Sequence, residues 1–165
     1  MSRIRSFPPV ADERATLLIL GSMPGKESLR QQQYYAHPHN TFWKIMGELA
    51  GAHPALPYPA RLQCLKDRGI ALWDVLHSCE REGSLDSNIE QEAPNDFAAF
   101  FAQHPHITRI CFNGAKAEQS FRKFVPGKQQ LPPLNLVRLP STSPAHAGMR
   151  YEEKLAAWKK SLTGG

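Results

Sequence analysis

The run TLLILG at residues 16–21 constrains this chain more than any other stretch. Consecutive apolar side chains closed by a glycine fit a strand buried on both faces, as in a parallel sheet covered from two sides. Residues 70–74 (IALWD), 109–114 (RICFNG) and 135–139 (NLVRL) repeat the pattern, each ending near a Gly, Pro or polar turn signal. Between them the apolar period changes to that of a helix. Phe42, Ile45, Met46 and Leu49 share one helical face, as do Phe97, Phe100 and Phe101. Tyr151, Leu155, Trp158 and Leu162 do the same near the end, Leu62, Cys64 and Leu65 suit a helix before the second strand, and residues 115–124 suit one after the third. This alternation predicts an α/β fold, a three-layer α/β/α sandwich around a four-stranded, mostly parallel sheet. Ligands of such sheets sit beyond the carboxyl ends of the strands.

With 165 residues, 41% hydrophobic and 21% charged, the chain suits one globular domain and excludes disordered and fibrous classes. The first nine residues, with Arg3, Arg5, Pro8 and Pro9, read as a loose arm, so we divide the chain into an arm at 1–15 and a single domain at 16–165. Residues 52–59, 80–94 and 126–133 read as linkers within that domain. No apolar stretch near the start is long enough for a membrane helix or a signal-peptide core, which predicts a cytoplasmic protein without a membrane partner. Cys64, Cys79 and Cys111 form no CxxC pair and read as buried, reduced thiols; no metal site is implied. No heptad seam asks for a second copy, so a monomer is expected.

Charge is unevenly spread. Residues 1–108 carry 10 Lys or Arg against 12 Asp or Glu, whereas residues 109–165 carry 10 against 3. A basic C-terminal third suits a polyanionic partner, because cationic side chains release counterions from a phosphate backbone.

Three segments carry possible chemistry, and all fall at the same predicted sheet edge. GSMPG at 21–25 follows the first strand as a glycine-bounded turn, without the residues of a phosphate-binding loop or a dinucleotide fingerprint. YYAHPHNTFW at 34–43 concentrates aromatics, imidazoles and an amide ahead of a helix. Asn40 and Thr41 both suit a helix N-cap there, while Phe42 is either the first core residue of the helix or an aromatic face for a base. LPSTSPA at 139–145 leads through His146, Gly148 and Arg150 into the basic terminal helix, and its hydroxyls suit either a plain turn or a phosphate contact.

In order along the chain, GSMPG, YYAHPHNTFWKIM, GIALWDV, GSLDSNI, FNGAKA and LPSTSPA resemble the uracil-DNA glycosylase superfamily, and in particular its hypoxanthine-excising (deoxyinosine) branch. The resemblance spans roughly residues 16–160. It implies a DNA glycosylase that flips a deaminated base out of the duplex and hydrolyses its glycosidic bond, with neither metal nor organic cofactor. Many members carry a water-orienting polar residue where this chain has Met23, and a thioether cannot replace it.

The resemblance then makes Asn40 the catalytic candidate. It puts Phe42 beneath the flipped base, with Gly21, Ser22, Met23, Pro24 and Gly25 as the pocket floor. Asp74 and Asn113 become candidates for reading the base edge, the alternatives being a cap and a turn residue. Ser141 and Ser143 would grip phosphates, and Met149 or Arg150 would fill the vacated stack. The His of the last family motif falls at Leu139, so no imidazole is expected there, and no lysine is placed for a Schiff base. Two other readings stay open on sequence alone: a uracil glycosylase acting on G/U mismatches, and a non-catalytic nucleic-acid-binding domain of the same fold.

Overall fold

A computed structural model describes residues 3–146 and 148–163. The four apolar runs form β2 (Leu17–Gly21), β3 (Ile70–Asp74), β6 (Arg109–Asn113) and β7 (Asn135–Leu139), joined in one parallel sheet of order β3-β2-β6-β7. Every residue of β2 and β3 is buried. Because side chains alternate across a strand, β2 feeds two cores. Leu18 and Leu20 pack with Phe112 against α4 (Phe97–Gln103) and α5 (Ala115–Phe124). Leu17 and Ile19 pack with Leu72 against α2 (Phe42–Ala50), α3 (Tyr58–Asp67) and α6 (Tyr151–Thr163). The expected three-layer sandwich is therefore present, each large core side chain contributing about 1.5–3 kcal/mol by its burial. A short helix, α1 (Lys26–Gln31), follows GSMPG and carries no apolar period that would have announced it.

Two segments depart from the sequence reading. Residues 3–5 are not loose: Arg3–Arg5 is strand β1, paired antiparallel with β4 (Leu76–Glu80). Nor is 80–94 only a linker, since it contains a 3₁₀ turn at Asp86–Asn88 and strand β5 (Glu90–Pro94), which pairs with β4. The resulting antiparallel sheet, β1-β4-β5, stands beside the main one. Its outer strands were hidden because RIR is three residues long and EQEAP has no apolar alternation. Edge strands tolerate both, needing backbone partners on one side only. Glu92 on β5 binds α5 through the Ser120 hydroxyl at 2.6 Å and Lys116 at 3.1 Å.

Residues ahead of β2 are tied to the core as well. Trp73 Nε1 donates to the Phe7 carbonyl at 3.1 Å, the Tyr34 hydroxyl to the Pro8 carbonyl at 2.9 Å, and Val10 bridges Leu72. Cys79 and Cys111 are buried and Cys64 half-buried, all three as free thiols.

Candidate active site

The strands end around one cavity of about 410 Å³, lined from Gly21, Asp74 and Asn113 outward. All three segments singled out in the sequence reach it: residues 21–25, Tyr34, Tyr35, His37 and Asn40, and residues 141–146. The β4–β5 loop adds a fourth wall through residues 84–87.

Asp74 ends β3 on the cavity floor and is 3% exposed. Its Oδ2 has no hydrogen-bond partner among the described residues. Burial, followed by the nearby charge of Asp86, pushes its carboxyl up to about 7, against a smaller opposing pull from Arg81. Gly21 is required beside it: a Cβ there would stand 2.6 Å from Asp74 Oδ1 and 2.8 Å from the Tyr35 hydroxyl. Within the floor segment, the Ser22 hydroxyl donates to Asp86 Oδ1 at 2.7 Å, Met23 is buried at 7% exposure, and the Pro24 carbonyl accepts from the buried Arg81 guanidinium at 2.7 Å. Gly25 precedes α1 and would meet only ordinary contacts with Ser84 if given a Cβ.

Asn40 lines the cavity just ahead of α2. Its Oδ1 accepts from the Phe42 backbone N–H at 2.9 Å, while Thr41 takes the N-cap position without a side-chain cap bond. One carbonyl lone pair thus starts the helix, and a second remains for another donor. The network behind it fixes its segment. Asn113 donates through Nδ2 to Thr142 Oγ1 at 3.0 Å and accepts from the Thr142 N–H at 2.9 Å, and the Thr142 carbonyl accepts from the Thr41 N–H at 3.1 Å. Asn113 lines the cavity while its amide also holds the last loop, these two bonds leaving it one N–H and one carbonyl lone pair.

The expected place of Phe42 at the cavity is corrected. Phe42 is fully buried, and Tyr35 stacks on it at 4.1 Å between centroids and 26° between planes, so Tyr35 and not Phe42 faces the cavity. Tyr35 sits at φ 53°, a left-handed backbone uncommon outside glycine, and its buried hydroxyl has no hydrogen-bond partner by distance and angle among the described residues. Burial and Asp74 hold its phenol far above the ordinary range, partly offset by the Asn113 amide beside it.

Ser141 Oγ accepts from the Ser143 N–H at 3.1 Å, and Ser143 Oγ from the Ala145 N–H at 3.2 Å. Each hydroxyl keeps its own hydrogen for an outside acceptor. Trp158 Nε1 on the Pro140 carbonyl and Lys154 Nζ on the His146 carbonyl, at 3.0 and 2.7 Å, anchor this loop to α6. Met149 and Arg150 lie outside the cavity lining, with Arg150 strongly exposed and paired to Glu153. Leu139 is core, and among the described residues His37 and His146 are the imidazoles that line the cavity. Sequence reading gave Tyr35, Asp86 and Thr142 no role of their own, although each lies in a segment it singled out, YYAHPHNTFW, GSLDSNI and LPSTSPA.

Among the described residues no cluster of His, Cys, Asp or Glu is grouped to hold a metal ion, and no helix is long and apolar enough to cross a membrane. Residues 8–162 match the family described as the uracil DNA glycosylase superfamily. The chain belongs to that superfamily. It is similar to proteins named hypoxanthine DNA glycosylase from Methanosarcina acetivorans and Methanosarcina barkeri, at 46% and 42% identity over 68% of this chain and 72% of each relative. A solution NMR structure from Methanosarcina acetivorans, of a protein provisionally described as a uracil DNA glycosylase, superposes with a TM-score of 0.82. The two share 36% identity over 99% of this chain and 98% of the other. The protein is a DNA glycosylase, and DNA is its substrate.

Proposed function

We propose that this glycosylase excises hypoxanthine, the base of deoxyinosine, and that it is monofunctional, cleaving the glycosidic bond with water. The observation that carries this reading is the buried Asp74 carboxyl on the cavity floor, whose Oδ2 has no partner among the described residues and which is raised to about 7. A carboxyl that keeps its proton near neutral pH both donates and accepts, which complements the ring N–H and adjacent carbonyl of hypoxanthine. Uracil offers a similar edge, so G/U-mismatch uracil excision is the second reading. The hypoxanthine-named relatives favour the purine.

In this reading the deoxyinosine nucleotide leaves a weakened pair and enters the cavity. Tyr35, backed by Phe42, gives its base an aromatic face in place of Phe42 itself. Asn40 holds water against the sugar with the lone pair that Phe42 N–H leaves open, while Ser141 and Ser143 donate to flanking phosphates. Asn113 is a positioning residue acting through Thr142. Met149 and Arg150, which follow the cavity-lining 141–146 loop in the chain, fill the vacated stack. We propose in addition that the protein acts as a monomer in the cytoplasm.

The test is base release from labelled duplexes containing inosine, uracil, xanthine or only normal bases, under single turnover. Hypoxanthine release should be fastest, and Asn40→Ala should lower it at least about 100-fold while DNA binding and the unfolding midpoint persist. Faster uracil release selects the second reading. Equal loss of stability and activity in Asn40→Ala reduces that residue to a helix-starting group.

A further inference from the structure

The β4–β5 loop brings a second carboxyl group to the cavity, and the reaction as read above gives it no task. Asp86 opens the 3₁₀ turn at Asp86–Asn88 and lines the same cavity as Asn40 and Asp74. The Ser22 hydroxyl holds its Oδ1 at 2.7 Å. Ser22 is itself buried and immediately precedes Met23, whose side chain gives this wall no hydrogen-bonding group of useful strength.

The two carboxyls are close enough for the charge of Asp86 to oppose ionisation of Asp74. Their surroundings differ. Asp74 has no donor on Oδ2 among the described residues, and burial dominates it. Asp86 is an exposed residue whose carboxyl is raised by its partial enclosure in the cavity, but the Ser22 hydroxyl, the Arg81 guanidinium and the Lys116 ammonium all favour its charged form. When two carboxyls share a site, the better-stabilised one ionises first. Asp86 is therefore the anion of the pair and Asp74 the proton holder.

We propose that Asp86 is a further catalytic residue, its carboxylate facing the sugar and accepting the proton of the attacking water. The proposal rests on the glycosylase reading of this cavity. In the step, the glycosidic bond breaks with its electron pair passing to the purine, which leaves positive charge on the sugar carbon. The oxygen of water bonds to that carbon. One water proton passes to the Asp86 carboxylate and then to solvent, and the purine anion takes a proton from solvent. The Asn40 amide orients this water but is too weak a base to keep its proton, whereas a carboxylate takes it and opposes the developing cation electrostatically.

The test uses the full chain with Asp86→Asn and Asp86→Glu, scored on two measurements. The first is single-turnover hypoxanthine release from an inosine duplex. The second is the ratio of affinities for two abasic-site analogues, a pyrrolidine with a cationic ring nitrogen and a neutral tetrahydrofuran. Asp86→Asn should slow release about 100-fold or more and cut the preference for the cationic analogue at least about tenfold, with Asp86→Glu restoring part of both. Because the second measurement is a ratio within one protein, partial misfolding does not imitate the effect. Release within about threefold of wild type, or an unchanged analogue ratio, overturns the role of Asp86. A wild-type chain that releases no base from any duplex overturns the glycosylase reading and Asp86 with it; an active wild type beside an indifferent Asp86→Asn overturns Asp86 alone.

Discussion

The two sheets meet the same cavity with opposite materials. In the parallel sheet, β2 and β3 are buried throughout and pair in unbroken register, ending at Gly21 and Asp74. In the antiparallel sheet, β5 has no buried residue, and its register against β4 shifts twice over a few residues. Asp74 therefore inherits the stiffness of a core strand. Asp86 is held by a loop, one hydroxyl bond and a short turn. A site built this way fixes Asp74 through packing and carries Asp86 on a piece of chain held by fewer contacts.

The comparison can be broken at several points, beginning with the largest effect. Phe112→Ala, at a fully buried position whose ring packs tilted against Phe121 at 5.3 Å between centroids, should cost about 3–5 kcal/mol in denaturant unfolding. A loss far smaller would mean that the parallel sheet is not the rigid partner.

Asp74→Asn should leave a pH signature. The folded carboxyl titrates near 7, far above the ordinary value of 3.8, so the native state binds the proton more tightly than the unfolded chain. The stability this gives is fully present below about pH 4 and is lost as pH rises through about 7. The variant should match wild type near pH 4 and exceed it by something on the order of 2 kcal/mol at pH 8. Parallel stability profiles for the two proteins would show that Asp74 is not a buried proton holder. Base release by wild type should also fall above about pH 7 as the donor is lost.

Arg81 joins the regions, donating to the carbonyls of Pro24 at 2.7 Å and Gly83 at 2.9 Å. Arg81→Ala should cost about 1–2 kcal/mol in thermal unfolding, and it should slow hypoxanthine release by loosening the loop more than the sheet. Leu85, 52% exposed at the loop tip, should matter least: Leu85→Ala should stay within about 0.5 kcal/mol of wild type. A larger loss would show that the tip is packed and the loop as rigid as the strands.

The same contrast explains what could be read from the amino acids alone. β2 and β3 were legible because double burial demands uninterrupted apolar runs, and β6 and β7 because their shorter apolar runs end at turn signals. The edge strands were not, since RIR and EQEAP owe their conformation to β4 and to Arg3, which reaches Ser78 Oγ at 3.0 Å and the Gln91 carbonyl at 2.8 Å. Phe42 carries the sharper lesson. The period that placed it with Ile45, Met46 and Leu49 already assigned it to the sheet-facing side of its helix, so its ring was committed to the core, and Tyr35 took the open position. Asn113 was recognisable as an amide at a strand end, but its partner Thr142 lies 29 residues away and only the folded chain joins them.

The contacts of Phe7, Pro8 and Val10 make the opening stretch a strap across the site's outer wall. It is fastened to Trp73, directly before Asp74, and to Tyr34, directly before Tyr35. Clipping that strap, or pulling on it with a bulky fusion, reaches two walls of the cavity at once, so purification handles are better attached elsewhere.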